Sequence, residues 1–202
     1  LKRTSLNPSL CHIQLKLDPL NSLRSKLFFD FDAEGKYGFK NIDFQQTPTL
    51  KVRGLIGLHE KTLDRPQRPL VIFRMGIHGN RDEFTAERFL IKILYEDLGY
   101  HVLMLESLTS HGFIMANEKV SFGGLEEGLQ SFYVINQIYK KELPWTDQVS
   151  DIHMMAISMG GEGTFLAASL DEQTIHQIKS VQLFCPVVNL QKTFEYHAQP
   201  GI

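Results

Sequence analysis

The run Ala156-Ile157-Ser158-Met159-Gly160-Gly161 joins an apolar segment, residues 152–157, to a stretch with helical character, residues 162–170. A serine held this way can act as a nucleophile. Small residues two places before and two places after it permit a turn from strand to helix that larger side chains would block. Such a turn lifts the hydroxyl above the sheet, beside the positive end of the following helix. The competing reading is a glycine-rich turn whose serine merely caps that helix. The apolar strand before Ser158, and Gly163, Ala167 and Ala168 after it, favour the nucleophile.

His78-Gly79-Asn80 follows a second apolar segment, residues 70–77, and carries the other half of the chemistry. Together the two segments resemble the α/β-hydrolase family: the first is similar to its G-x-S-x-G elbow, with Ala156 in place of the first glycine, and the second to its His-Gly loop. Residues 99–105, followed by His111-Gly112, look like the family's fourth strand and the loop after it. The resemblance covers roughly residues 50–189. It implies a mostly parallel sheet flanked by helices, entered through antiparallel N-terminal strands, in one domain over residues 1–202. It also implies two-step acyl transfer: Ser158 attacks an ester, thioester or amide carbonyl, and water then releases the acyl-enzyme. The oxyanion would be held by the backbone N–H groups of Met159 and of the Gly79–Asn80 region, with His78 and Gly160 shaping the loops. Removing one oxyanion donor from an enzyme of this kind costs about 3 kcal/mol of barrier. Neither a metal nor an organic cofactor is implied, and the partner would be a small-molecule acyl substrate.

A serine hydroxyl needs a histidine to take its proton and an acid to orient that histidine. In the family both follow the serine on later strands, whereas this sequence reaches Ile202 one short segment after its fourth apolar strand. Three explanations compete. A missing C-terminal segment or a second chain supplies both groups; or a base from within, such as His197 with Glu195 or another carboxylate, supplies them; or the fold serves as a non-catalytic binding or scaffold protein. The first is preferred, because a sheet that stops in mid-architecture leaves an edge to be covered. The chain opens on Leu1 rather than Met, which reads as loss of an upstream segment.

The elements that must position these residues can be read from apolar periodicity. Residues 11–17, 27–31 and 50–59 read as strands, and the polar stretch 65–69 as a surface turn. Strands covered on both faces are expected at 70–77, 101–105, 152–157 and 180–188. Helices are expected at 82–98, stopped by Gly99, at 125–141, and at 162–170. In the second, Leu125, Leu129, Phe132, Ile135 and Ile138 form one apolar stripe. Alternation of strand and helix points to a parallel sheet of right-handed crossovers.

Other features exclude more than they suggest. A net charge of −2 gives no basis for nucleic-acid binding, and no apolar run approaches a membrane span. Two cysteines make no framework: Cys185 reads as a small buried residue, although a bridge to Cys11 stays open. His59-Glu60 lacks the second histidine of a zinc-protease motif, and His111, His153 and His176 stand singly. Gly123-Gly124 is no phosphate loop, Glu106 reads as a solvated loop carboxylate, and Trp145 as a packing residue.

Overall fold

A computed structural model of the chain describes residues 38–81, 87–121, 123–187 and 189–197, all within one compact unit, Asp32–Ile202. The strands expected at 11–17 and 27–31, and Cys11, lie outside the described residues.

Strands β1 (Lys40–Thr47) and β2 (Leu50–Gly57) form an antiparallel hairpin across Pro48-Thr49. Strands β3 (Arg68–Arg74), β4 (His101–Leu105), β5 (Val149–Ile157) and β6 (Ile178–Phe184) complete one sheet in the order β1-β2-β4-β3-β5-β6. β2 meets β4 antiparallel, whereas β3 pairs parallel with both β4 and β5, and β5 with β6. The expected mixed sheet, parallel except at its N-terminal edge, is therefore present. β1 was not anticipated, because only Ile42 and Phe44 interrupt an otherwise polar segment.

The connecting helices are α1 (Glu87–Lys92), which continues as a π-turn over Ile93–Asp97, α2 (His111–Asn117), α3 (Leu125–Tyr139), α4 (Met159–Gln173) and α5 (Leu190–His197). Gly99, at φ 71°, ends the first of these stretches, as its sequence position implied. Residues 111–117, read from sequence as loop, form α2 because Ser110 accepts the Phe113 N–H at 3.0 Å and caps it. Among the described residues no helix is long and apolar enough to cross a membrane.

The central strands are covered on both faces. Leu70 and Ile72 of β3, Leu103 and Leu105 of β4, and Ile152 and Met154 of β5 share a core with Val134, Ile135 and Ile138 of α3, Ala167 of α4, and Trp145. Val71, Phe73, Val102 and Met104, pointing the other way, are buried as well.

Two expectations about burial are corrected. β6 is largely exposed, and so is Cys185 just beyond it, because among the described residues β6 has a strand on one side only. The stripe expected on α3 is rotated. Leu125 and Leu129 face solvent, while Glu127, Gly128, Gln130 and Ser131 face inward with Val134, Ile135 and Ile138. Small residues allow α3 to lie close to α4, since a Cβ on Gly128 would meet the Leu166 side chain at 2.7 Å. Ser131 donates to the Glu127 carbonyl at 2.8 Å, and Glu127 and Gln130 have partners described below.

At the opposite end of the strands from their carboxyl termini, His101 is buried with both ring nitrogens engaged. Nδ1 accepts the His59 N–H at 3.1 Å, and Nε2 donates to the Gln148 carbonyl at 3.2 Å. Accepting a bond at Nδ1 requires the neutral ring, and burial lowers the pKa of His101 from 6.5 to about 4. His59, stacked on Tyr95, is lowered too, by burial first and by the Arg68 charge second. The unfolded chain thus takes up protons between pH 6.5 and about 4 that the folded chain refuses. This contribution to stability is complete above pH 6.5 and is lost as the pH falls to about 4, a loss of up to about 3 kcal/mol. Urea midpoints measured from pH 7.5 to 4.5 should fall steeply for the wild type and more gently for His101→Gln. Parallel curves would assign the acid sensitivity to other groups.

Candidate active site

Register sets the two candidate loops side by side. Arg74 pairs with Ala156, so β3 and β5 end together and their following loops adjoin. Ser158 has φ 54° and ψ −123°, a conformation that costs a non-glycine residue about 1–3 kcal/mol unless its surroundings enforce it. They do: its N–H donates to the Phe184 carbonyl at 2.9 Å, and its carbonyl accepts from Gly161 at 2.9 Å and from Val187 at 3.2 Å. The hydroxyl makes no capping bond to α4, so a cap is not what holds this conformation. Ala156 is fully buried. A Cβ on Gly160 would run into the carbonyl oxygen of Met75 and lie 2.8 Å from that of Arg74, so only glycine fits there without displacing β3 or α4.

On the other loop, Gly76 abuts the serine, since a Cβ there would lie 3.3 Å from Ser158 Cβ. His78, at φ 61°, is exposed. Its backbone N–H donates to Thr109 Oγ1 at 2.8 Å and its ring Nδ1–H to the Thr109 carbonyl at 3.0 Å. A carbonyl only accepts, so Nδ1 carries a proton. The Gly79 N–H, expected as an oxyanion donor, is instead spent on the Gly76 carbonyl at 2.9 Å, because residues 76–79 close a tight turn. Asn80 is buried beside it.

Beneath these loops lies a polar cluster that sequence reading missed. Arg74, the last residue of β3, has no solvent exposure. Its guanidinium donates to the Glu106 carbonyl at 2.9 Å, the Glu127 carbonyl at 3.1 Å and Gln130 Oε1 at 2.9 Å. Glu106 is no solvated carboxylate: it is buried and paired with Arg53 at 3.1 Å, with α2 so close that a Cβ on Gly112 would lie 2.6 Å from Glu106 Oε1. Glu127, equally buried, accepts at Oε1 from Ser107 Oγ and from the Leu108 N–H, each at 3.2 Å. The available signal was Arg74 itself, a charge inside an apolar strand, which demands buried partners.

Among the described residues, no histidine or carboxylate hydrogen-bonds to the Ser158 hydroxyl. Glu195 Oε1 accepts from Gln191 at 2.7 Å. Glu195 and His197 both lie on α5. His153 lies within β5 and bonds to Ser180 Oγ at 2.8 Å. His176 lies just past the far end of α4, which is 15 residues long and so separates it from Ser158 by roughly 20 Å. His111 opens α2. No group of three or more potential metal-ligating side chains occurs among the described residues.

No family model matches this chain, and no curated protein sequence matches it. Solved structures do. An esterase from Pyrococcus furiosus superposes with a TM-score of 0.64 at 17% identity, covering 86% of this chain and 61% of its own. A fungal esterase from Rhizomucor miehei gives a TM-score of 0.56 at 13% identity, covering 98% and 59%. Est1E from Butyrivibrio proteoclasticus gives 0.55 at 18% identity, covering 80% and 57%. The chain therefore spans about three fifths of the length of these proteins. It has an α/β-hydrolase-like fold: a six-stranded, mostly parallel sheet with flanking helices.

Proposed function

We propose that the protein is a serine hydrolase acting on a carboxylic ester, thioester or amide, with Ser158 as nucleophile and an acyl-enzyme as intermediate. The observation that carries this reading is the backbone of Ser158. A strained, left-handed-side conformation at a serine between a fully buried alanine and an obligatory glycine has no structural use that glycine would not serve better. Esterases among proteins of the same fold agree with it.

Attack on a carbonyl would leave the oxyanion between two backbone donors. One is the N–H of Met159, at the first position of α4, where no intrahelical acceptor exists. For the other, the bond from Gly79 to Gly76 favours Ile77 over the expected Gly79: its N–H follows the glycine packed on Ser158 and has no acceptor among the described residues. The proton of Ser158 would pass to a histidine oriented by an acid. Both groups are assigned to a segment outside the described residues or to a second chain. β6 has no strand on its outer side among the described residues, which leaves room for that segment to join the sheet. Neither metal nor organic cofactor enters this mechanism.

Hydrolysis of p-nitrophenyl esters of increasing chain length tests the reading. The protein with its completing segment should turn over at least one of them, and Ser158→Ala should lower kcat by about 10³-fold or more. Undiminished turnover in the alanine variant would sink the assignment.

A further inference from the structure

Glu127 is a fully buried carboxylate that the mechanism above does not use. It sits where two parts of the candidate site meet. Its Cβ lies against the nucleophile-bearing helix, where a Cβ on Gly163 would come within 2.6 Å of it. Its Oε1 accepts from the Ser107 hydroxyl and the Leu108 N–H in the loop after β4. That loop in turn grips the loop after β3. The Ser107 N–H donates to the Gly79 carbonyl at 2.9 Å, and Thr109 receives both bonds from His78.

The direction of these bonds is determined. The proton of Ser107 Oγ goes to Glu127, so Ser107 can only accept from Thr109 Oγ1, 2.9 Å away. Thr109 Oγ1, having donated its proton, accepts the backbone N–H of His78 at 2.8 Å. The chain runs one way, from His78 N–H through Thr109 and Ser107 to the Glu127 carboxylate, so each bond polarises the next. Arg74, which donates to the Glu127 carbonyl, sets a buried positive charge beside the end of that chain. A buried carboxylate costs more to desolvate than an apolar side chain packed in its place. Its value must lie in what it fixes.

We propose that Glu127 is a positioning residue for the oxyanion loop, holding residues 76–79 against Ser158 through Ser107 and Thr109. This rests on Ser158 being the nucleophile, and the inference goes beyond that reading by naming what keeps the donor loop in register. The loop is otherwise exposed at Ile77 and His78, and two short hydroxyl side chains link it to the carboxylate.

Four variants and three readouts decide it. Glu127→Ala removes the terminal acceptor, Ser107→Ala and Thr109→Val break the chain nearer the loop, and Glu127→Gln keeps an oxygen able to accept both bonds. The rate of fluorophosphonate labelling and kcat should fall about 10- to 100-fold in the first three, with KM within about twofold. Glu127→Gln should recover most of the lost rate. Amide hydrogen exchange over residues 76–80, measured in a Ser158→Ala background, should quicken in the same three variants and stay near the parent in Glu127→Gln. If wild-type protein with its completing segment fails to label, the nucleophile assignment fails, and the exchange pattern still decides whether Glu127 orders the loop. Should Glu127→Ala not fold, the near-isosteric Thr109→Val carries the decision. Unchanged kcat and unchanged exchange in Thr109→Val and Ser107→Ala overturn the proposal, as would an equal rise in KM and fall in kcat/KM at constant kcat.

Discussion

Arg74→Ala is expected to destabilise the protein by about 3–5 kcal/mol, the range seen when one member of a buried charge cluster is removed. The guanidinium is fully buried and makes three hydrogen bonds, to the Glu106 and Glu127 carbonyls and to Gln130 Oε1. Alanine would leave all three oxygens without that donor and remove the positive charge beside the buried Glu127 carboxylate. It would also open a cavity at the end of β3, where residues up to Phe73 are packed without exposure. Arg74→Lys should fall between, because one ammonium cannot span the three acceptors that the planar guanidinium reaches. Urea unfolding followed by circular dichroism measures both. A loss below about 1 kcal/mol for Arg74→Ala would mean that water or local rearrangement replaces the guanidinium, and that the cluster does not set the stability of this region.

Gly160→Ala should damage the site more than its single methyl group suggests. The added carbon would collide with the Met75 carbonyl oxygen and approach that of Arg74 at 2.8 Å. Both are backbone atoms of the strand end and loop beside Ser158, so no side-chain rotation relieves the clash. Either α4 retreats from β3 or the loop after β3 moves, and each displaces the serine relative to its donors. A displacement near 1 Å lowers the rate by about 10²-fold, and overpacking of this kind costs about 1–3 kcal/mol of stability. The control is Gly161→Ala, whose methyl would meet Pro186 rather than the strand. Labelling rates and melting temperatures of the two variants should diverge, with Gly160→Ala the worse on both. Equal behaviour would mean that the elbow is not tightly seated on β3.

The parts of the fold that were legible in the sequence are those where one physical demand dominates. β3, β4 and β5 are buried on both faces, and their near-continuous apolar runs announce it. The Ser158 turn was legible because its sharpness restricts residue size at fixed offsets. β6 misled for the opposite reason: Val181, Leu183 and Phe184 look like core, but burial depends on a second neighbour that the sheet does not provide among the described residues. On α3, Leu125 and Leu129 satisfy helical spacing yet face solvent, because the inward face is chosen by Gly128 fitting α4 and by Gln130 reaching Arg74. Neither reason is periodic, so neither can be seen in a periodicity. Glu106 and Glu127 were misjudged or passed over because a carboxylate is assigned to solvent unless its partner is known, and those partners stand on other elements: Arg53 of β2 for Glu106, and Ser107 and the Leu108 N–H of the loop after β4 for Glu127. His78-Gly79 pointed to the loop after β3 as a candidate, but which of its N–H groups is engaged depends on how residues 76–79 turn.

The most direct measurement is covalent labelling of the folded protein with a fluorophosphonate, with the adduct located by mass spectrometry in wild type and in Ser158→Ala. One adduct per chain on the peptide containing Ser158, absent from the alanine variant, is the expected result. An adduct on another residue, or equal labelling of the alanine variant, contradicts the assignment of Ser158, and no labelling of a folded sample that contains the completing segment contradicts a serine hydrolase altogether.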